Sequence, residues 1–97
     1  MASRDERRAE NQRRFRAGND RLHDIVDGRL REGETIPFIC ECANGECFGR
    51  VEVMLAEWEV VAARPDHFLI LPGHPRIEGE QVIGTIREYE VVEKPAA

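Results

Sequence analysis

Three cysteines within eight residues constrain this chain more strongly than any other feature of its sequence. Cys40, Cys42 and Cys47 form the pattern C-x-C-x4-C. The N-terminal sequence, MASRDERRAE, has charges where a secretory signal would have its apolar stretch, so we expect a cytoplasmic protein. Thiols stay reduced in that compartment, and so dense a cluster therefore indicates a soft metal ion rather than disulfides. The alternative is three small, buried core residues, which the polar neighbours Glu41 and Glu46 disfavour.

Zinc is the metal that this pattern indicates first, because Zn²⁺ binds thiolates and takes four ligands in a tetrahedron. A fourth donor must then come from elsewhere in the chain. We favour His74, which lies between Gly73 and Pro75, since proline stiffens this backbone and glycine allows a close approach. The alternatives are His67, a carboxylate or water, whereas His23 is interpreted as a surface residue. A [2Fe–2S] cluster in place of zinc and a site without metal also stay open.

The distribution of apolar residues predicts an α+β fold, in which a long N-terminal helix precedes a small, mostly antiparallel sheet with one packed helix and a zinc-binding loop. The 97 residues, 41% of them hydrophobic, suffice for one small domain. We expect the first helix from its N-cap, Ser3, to about Val26. The remaining predicted elements are a second helix at 55–63 and the four or five strands of one sheet. The ranges expected for these strands are 36–40, 51–53, 68–71, 81–86 and 89–93. The longest apolar run, 68–71, is far below the roughly 20 residues of a membrane-spanning helix, so we expect no membrane association.

The net charge of −5 conceals two parts of opposite sign. Residues 1–31 hold nine arginines against six acidic residues, a net charge of +3, and residues 32–97 carry −8. We therefore divide the chain into an Arg-rich N-terminal helix or arm, residues 1–28, and a small α+β domain, residues 36–94. An acidic domain does not attract the phosphates of nucleic acid. Any partner binding is accordingly assigned to the arm.

The candidate partner-binding residues are the arginines of the arm, namely Arg7, Arg8, Arg13, Arg14 and Arg16. The first dozen residues have almost no apolar side chains, so we expect them to project into solvent or to contact a partner. A protein partner or a second copy of this chain is favoured over nucleic acid. In the alternative interpretation, these arginines pair with acidic residues three or four positions away and only stabilise a solvated helix.

The cysteine cluster and the Gly-His-Pro turn also carry a resemblance to a known family. The stretches FICEC (38–42), VEV (51–53), LAEWEVV (55–61), RPDHF (64–68), LPGH (71–74) and YEVVEK (89–94), with Cys47, resemble a family of small actinobacterial proteins with a CxC…C…PGH pattern. The resemblance implies zinc ligands at Cys40, Cys42, Cys47 and His74, and it implies no activity. The chain departs from the family at Met54, where a helix-capping Thr or Ser is usual. A CxC pair with a third Cys and a His also resembles the ligand set of CDGSH-type iron–sulfur proteins, whose spacing differs.

The sequence thus predicts a non-catalytic, zinc-stabilised interaction module with the basic N-terminal helix as its partner-binding element. An enzyme is not expected, because we find no nucleophile and base at a catalytic spacing, no Gly-rich phosphate loop and no HExxH helix. Glu52, Glu57 and Glu59 could serve as acid and base, but a solvated face explains them better. The alternative function is that of a redox or iron–sulfur protein that uses the cysteine cluster.

Overall fold

The computed structural model describes residues 3–95 and confirms the predicted α+β fold. Its elements follow in the order α1 (Arg4–Val26), β1 (Thr35–Ile39), β2 (Arg50–Met54), α2 (Leu55–Ala62), β3 (His67–Ile70), β4 (Gln81–Ile86) and β5 (Tyr89–Glu93). Each element lies within one residue of its predicted bounds. The periodicity of apolar residues and the turn signals between them were therefore sufficient to place the elements.

The five strands divide into two antiparallel sheets instead of the one sheet that we expected. β1 pairs with β2, with Phe38 opposite Val51, and the second sheet has the order β3-β5-β4. In that sheet Leu69 of β3 lies opposite Val91 of β5. The sheets meet where the N–H of Glu41, just beyond β1, donates to the carbonyl of Leu69 at 3.0 Å. β1 ends at Ile39, so this hydrogen bond lies beyond the β1–β2 ladder and does not make β1 a strand of the second sheet.

The core lies between the two sheets and the second helix. Phe38 of β1 stacks on Trp58 of α2, with the ring centroids 5.0 Å apart and the planes 9° from parallel. Leu69 and Ile70 of β3 are fully buried, and so are further residues of β2, α2 and β5. β4 contributes little to this core, since its residues from Gln81 to Thr85 are exposed.

Helix α1 begins as predicted at Ser3, whose side-chain oxygen accepts a hydrogen bond from the N–H of Glu6 at 3.1 Å. It docks on the domain largely through polar side chains, from Asn11 onwards. The Asn11 amide donates to the carbonyl of Ala43 at 3.1 Å, and the fully buried Gln12 amide donates to the carboxylate of Glu80 at 3.0 Å. The expectation of an arm that projects into solvent thus applies at most to the first turn, where Arg4, Glu6 and Arg7 are exposed. The polar docking face that begins at Asn11 continues along the helix to Arg16 and Asn19.

Met54 is the N-cap of helix α2 even though methionine lacks the oxygen of the usual capping residues. The carboxylate of Glu57, three residues on, accepts a hydrogen bond from the N–H of Met54 at 2.7 Å. This is one half of a capping box.

Among residues 3–95, neither helix combines the length and the apolar character that crossing a bilayer requires.

Candidate metal centre

The loop between β1 and β2 delivers the three cysteines to one place. Cys40 directly follows β1, and its N–H donates to the carbonyl of Gly49 at 3.1 Å, so the loop is closed at its base. Within the loop, the carbonyl of Asn44 accepts from the N–H of Cys47 at 3.1 Å, and the Asn44 side chain accepts from the N–H of Glu46 at 3.0 Å. Asn44 therefore makes the chain reversal that brings Cys47 back towards Cys40.

His74 reaches the cysteines from the turn that follows β3. Gly73 has φ +76°, a conformation that favours glycine, and the N–H of His74 donates to the carbonyl of Leu71 at 3.3 Å. The next residue, Pro75, accepts a hydrogen bond through its carbonyl from the N–H of Ala43 at 3.1 Å. The turn is thus attached directly to the cysteine loop.

The four predicted ligands converge with the geometry of a single-ion site. The ligand atoms of Cys40, Cys42, Cys47 and His74 all lie within 4.8 Å of one another. Nδ1 of His74 is 3.6 Å from the sulfur of Cys40 and 3.5 Å from that of Cys47. A tetrahedral zinc ion with Zn–S near 2.3 Å and Zn–N near 2.0–2.1 Å separates sulfur and nitrogen by about 3.6 Å. The four side chains could hold a metal ion with almost no movement of the histidine.

Two backbone N–H groups point at the ligand sulfurs. The N–H of Leu71 lies 3.2 Å from the sulfur of Cys40, and the N–H of Gly49 lies 3.4 Å from that of Cys47. Donors of this kind stabilise thiolates and orient them toward a metal. Gly49 is required for steric reasons as well, because a Cβ at this position would overlap the side chain of Leu71.

The three thiols of the cluster differ in how readily they lose their protons. A hydrogen bond from the Cys40 thiol lowers the pKa of the Cys42 thiol to about 5. The same hydrogen bond, together with burial, raises the pKa of Cys40, and burial raises the pKa of Cys47. The thiols of Cys40 and Cys47 therefore hold their protons more strongly than the Cys42 thiol does, and a metal ion must displace these protons to bind the sulfurs. Such a site binds its metal more tightly as pH rises.

Glu41, between the first two cysteines, is buried, which corrects our expectation that it makes this loop too polar for the core, whereas Glu46 is exposed as expected. The exposed fraction of Glu41 is 0%. Side chains alternate in an extended chain, so Glu41 points away from the side where Cys40 and Cys42 meet the other ligands. Its carboxylate accepts hydrogen bonds from four residues, namely Arg16 (Nε, 3.0 Å), Asn19 (Nδ2, 2.9 Å), Trp58 (Nε1, 3.3 Å) and Leu69 (backbone N, 3.0 Å).

Arg16 consequently does not belong to an exposed basic cluster, which corrects its assignment to partner binding. Its side chain is only 12% exposed, forms a bidentate ion pair with Glu41 and donates to the carbonyl of His67. The guanidinium also lies over the ring of Phe68, 4.8 Å from its centroid. Of the other arginines predicted to bind a partner, Arg7, Arg13 and Arg14 are exposed, and Arg8 is half-buried.

The two other histidines make different contacts from those of a ligand. Nε2 of His67 lies 3.0 Å from the carboxylate of Glu93, and Nε2 of His23 lies 2.8 Å from the carboxylate of Glu59. Asp66 joins His67 and Glu93 in a second group of close ligand atoms, but this group is only half-buried. Neither histidine lies in the group formed by the cysteines.

Sequence reasoning missed the residues that support the site from behind. Gln12, Arg16 and Asn19 follow one another at helical spacing on the docked face of α1, and Arg16 and Asn19 bind the buried carboxylate of Glu41, whereas Gln12 binds that of Glu80. A polar stripe with this spacing was the available signal. Glu41 had a signal too, since a residue between two ligands in an extended chain must face away from them.

Comparison of this chain with protein-family models, with curated proteins and with solved structures finds no match.

Proposed function

We propose that this chain is a non-catalytic, zinc-stabilised interaction module of the bacterial cytoplasm, in which Cys40, Cys42, Cys47 and His74 bind one Zn²⁺. The observation that carries the proposal is the position of His74, whose Nδ1 lies 3.5–3.6 Å from two cysteine sulfurs. The same four residues are the ligands that the resemblance to the actinobacterial family implies.

A structural role is favoured over catalysis because the protein itself supplies four donors. Catalytic zinc sites usually keep one position for water or substrate, whereas structural sites are closed by four protein ligands. A chain of 97 residues also has a small core, and domains of this size often use a metal to add stability. The glutamates considered as acid and base support this view, since Glu57 binds Arg87 at 2.9 Å and Glu59 binds His23.

An iron–sulfur or redox protein is the second candidate, and the spacing of the ligands argues against a cluster. A [2Fe–2S] cluster distributes four ligands over two irons, so ligands on opposite irons are farther apart than ligands of one ion. Here all four ligand atoms lie within 4.8 Å of one another. This span supports a mononuclear site.

Metal analysis of the purified full-length chain tests the proposal. We expect one zinc per chain in protein made under reducing conditions with zinc present, and no visible absorption. His74→Ala should lose the metal, and His67→Ala is the matched control that should keep it. Substoichiometric metal in the unmodified chain, or the coloured spectrum of an iron–sulfur cluster, would contradict the proposal.

The exposed arginines of α1 support the partner-binding part of the proposal. Arg7, Arg13 and Arg14 are exposed, and the contact of Arg13 with Glu10, at 3.7 Å, joins side chains that are 60% and 65% exposed. Such pairs contribute little stability, so the arginines are available to an acidic protein surface, that of another protein or of a second copy.

The partner proposal is tested by replacing all three exposed arginines with glutamine in the full-length chain. Self-association, measured by sedimentation in dilute salt, should be lost in the triple variant and unchanged in a Glu78→Gln control. A monomer in both cases, with salt-sensitive binding of duplex DNA by the unmodified chain, would transfer the assignment to nucleic acid.

A further inference from the structure

The carboxylate of Glu41 joins the candidate metal centre to most of the fold. Its neighbours in sequence, Cys40 and Cys42, are two of the four candidate ligands. Its own oxygens are bound by Arg16 and Asn19 of α1, by Trp58 of α2 and by the backbone of Leu69 in β3. One residue therefore lies between the cysteine loop and three separate elements.

The orientation of Glu41 depends on the two cysteines beside it. If Cys40 and Cys42 both bind one ion, the peptide between them is held in an extended conformation, and the intervening side chain must point to the opposite side. Without the ion, the two sulfurs are joined only by the hydrogen bond between the Cys40 and Cys42 thiols, which is weaker than two metal–sulfur bonds. Binding of the metal thus favours the conformation that presents the carboxylate to α1.

The docking of α1 depends in turn on Glu41. The side chain of Arg16 is only 12% exposed, and its charge is compensated there by this carboxylate. A buried guanidinium without its partner is strongly unfavourable, because the charge has lost its solvation and has no compensating interaction. Docking of α1 is therefore weakened when the carboxylate is out of place, and only the contacts that do not involve Glu41, such as those of Asn11 and Gln12, remain.

We propose that Glu41 is a positioning residue that couples occupancy of the metal site to the docking of helix α1. The proposal rests on the proposed metal site and adds a regulatory consequence: loss of the metal weakens the attachment of α1, the element that carries the exposed arginines. Coupling of this kind is reciprocal, so a change that weakens docking of α1 must also weaken metal binding. Arg16 is the best place to test this, because it is 25 residues from Glu41 in sequence and belongs to a different element from the ligands.

The first experiment measures zinc affinity by competition with a chromophoric chelator, in the full-length chain and in two arginine variants. Arg16→Met should lower zinc affinity by about tenfold or more, the effect typical of residues that support metal ligands. Arg14→Met, on the exposed side of the same helix, is the matched control and should leave it unchanged. Arg16→Lys retains the charge and should recover part of the affinity. Equal affinities of the Arg16→Met and Arg14→Met variants would overturn the proposal.

The second experiment uses the unmodified chain, and it decides the question if Arg16→Met does not fold. Hydrogen exchange of the α1 amides is compared in zinc-loaded and chelated protein. We expect protection of residues 11–23 to fall at least about tenfold on removal of zinc. Stoichiometric zinc with unchanged α1 protection would overturn the coupling and leave the metal site intact. A chain that binds no zinc at all would instead overturn the proposed function, and the coupling with it.

Discussion

The side-chain amide of Asn19 pairs with both backbone groups of Ile39. Its Oδ1 accepts from the N–H of Ile39 at 2.7 Å, and its Nδ2 donates to the carbonyl of the same residue at 2.9 Å. The side chain thus acts as a neighbouring strand would, at the edge of β1 and one residue before the first candidate ligand. It fixes both the position of α1 and the direction in which the chain enters the cysteine loop.

Replacement of Asn19 by alanine should therefore destabilise the protein. The change leaves the backbone groups of Ile39 without their partner and removes a donor to Glu41, and an unsatisfied buried group costs about 1–3 kcal/mol. We expect a loss of roughly 2–4 kcal/mol in the free energy of unfolding, measured with urea at saturating zinc. The adjacent, exposed Asp20→Ala is the matched control. Similar losses in the two variants would show that the pairing with Ile39 contributes no stability.

The ion pair between Arg16 and Glu41 predicts a second stability change. Arg16→Met should lower the free energy of unfolding by roughly 3–5 kcal/mol, because it leaves a buried carboxylate without its cation. The double variant with Glu41→Gln should recover part of this loss, since the glutamine is neutral and still accepts hydrogen bonds. The urea midpoints of the two single variants and the double variant measure the interaction. Additive losses would contradict a direct interaction between the two side chains.

Gly49 should not tolerate a side chain. A Cβ there would overlap Leu71 and lie 3.4 Å from the sulfur of Cys47, so Gly49→Ala should cost about 1–3 kcal/mol and weaken metal binding. Gly84→Ala is the matched control, because an added Cβ at Gly84 meets no atom within 4 Å. Thermal unfolding at saturating zinc compares the two. An unchanged melting temperature for Gly49→Ala would contradict the close packing of the loop on Leu71.

His23 predicts a dependence of stability on pH. The hydrogen bond to the Glu59 carboxylate, aided by one to Asp24, raises the pKa of His23 above its ordinary value of 6.5. Because the folded-state pKa exceeds the unfolded one, the stabilisation is fully present below about pH 6.5 and is lost as pH rises through the folded-state pKa.

The difference in unfolding free energy between the unmodified chain and His23→Gln should accordingly shrink as pH increases, at equal zinc occupancy. Glu59→Gln removes the main cause and should lower the pKa of His23, as followed by NMR. A difference that stays constant or grows with pH would count against this ion pair.

The elements and the candidate ligands could be predicted from the sequence because both depend on local patterns. Cys40, Cys42 and Cys47 lie within one loop, and the turn that presents His74 is marked by its own glycine and prolines. The polar docking of α1 could not be predicted in the same way. Hydrophobic periodicity identifies the buried face of a helix from its apolar side chains only. The burial of the Gln12 amide depends instead on a hydrogen bond to the carboxylate of Glu80, which is 68 residues away in the sequence.

The division into two sheets was missed for a related reason. Strands are recognised from their own residues, but the choice of neighbour depends on where the intervening chain runs. Here the chain leaves the ladder after Ile39 and places Cys40 beside His74, another candidate ligand, and Glu41 against Leu69 of the second sheet. Formation of the candidate site and separation of the sheets thus have the same structural cause.

X-ray absorption at the zinc edge, recorded on the full-length chain purified with one equivalent of zinc, tests the central claim most directly. It reports the number, type and distance of the atoms bound to the ion. We predict three sulfur atoms at about 2.3 Å and one imidazole nitrogen at about 2.0–2.1 Å. His74→Ala should lose the ion, whereas His67→Ala should keep the same first shell. A first shell of oxygen and nitrogen atoms alone, or one with fewer than three sulfurs, would contradict the account.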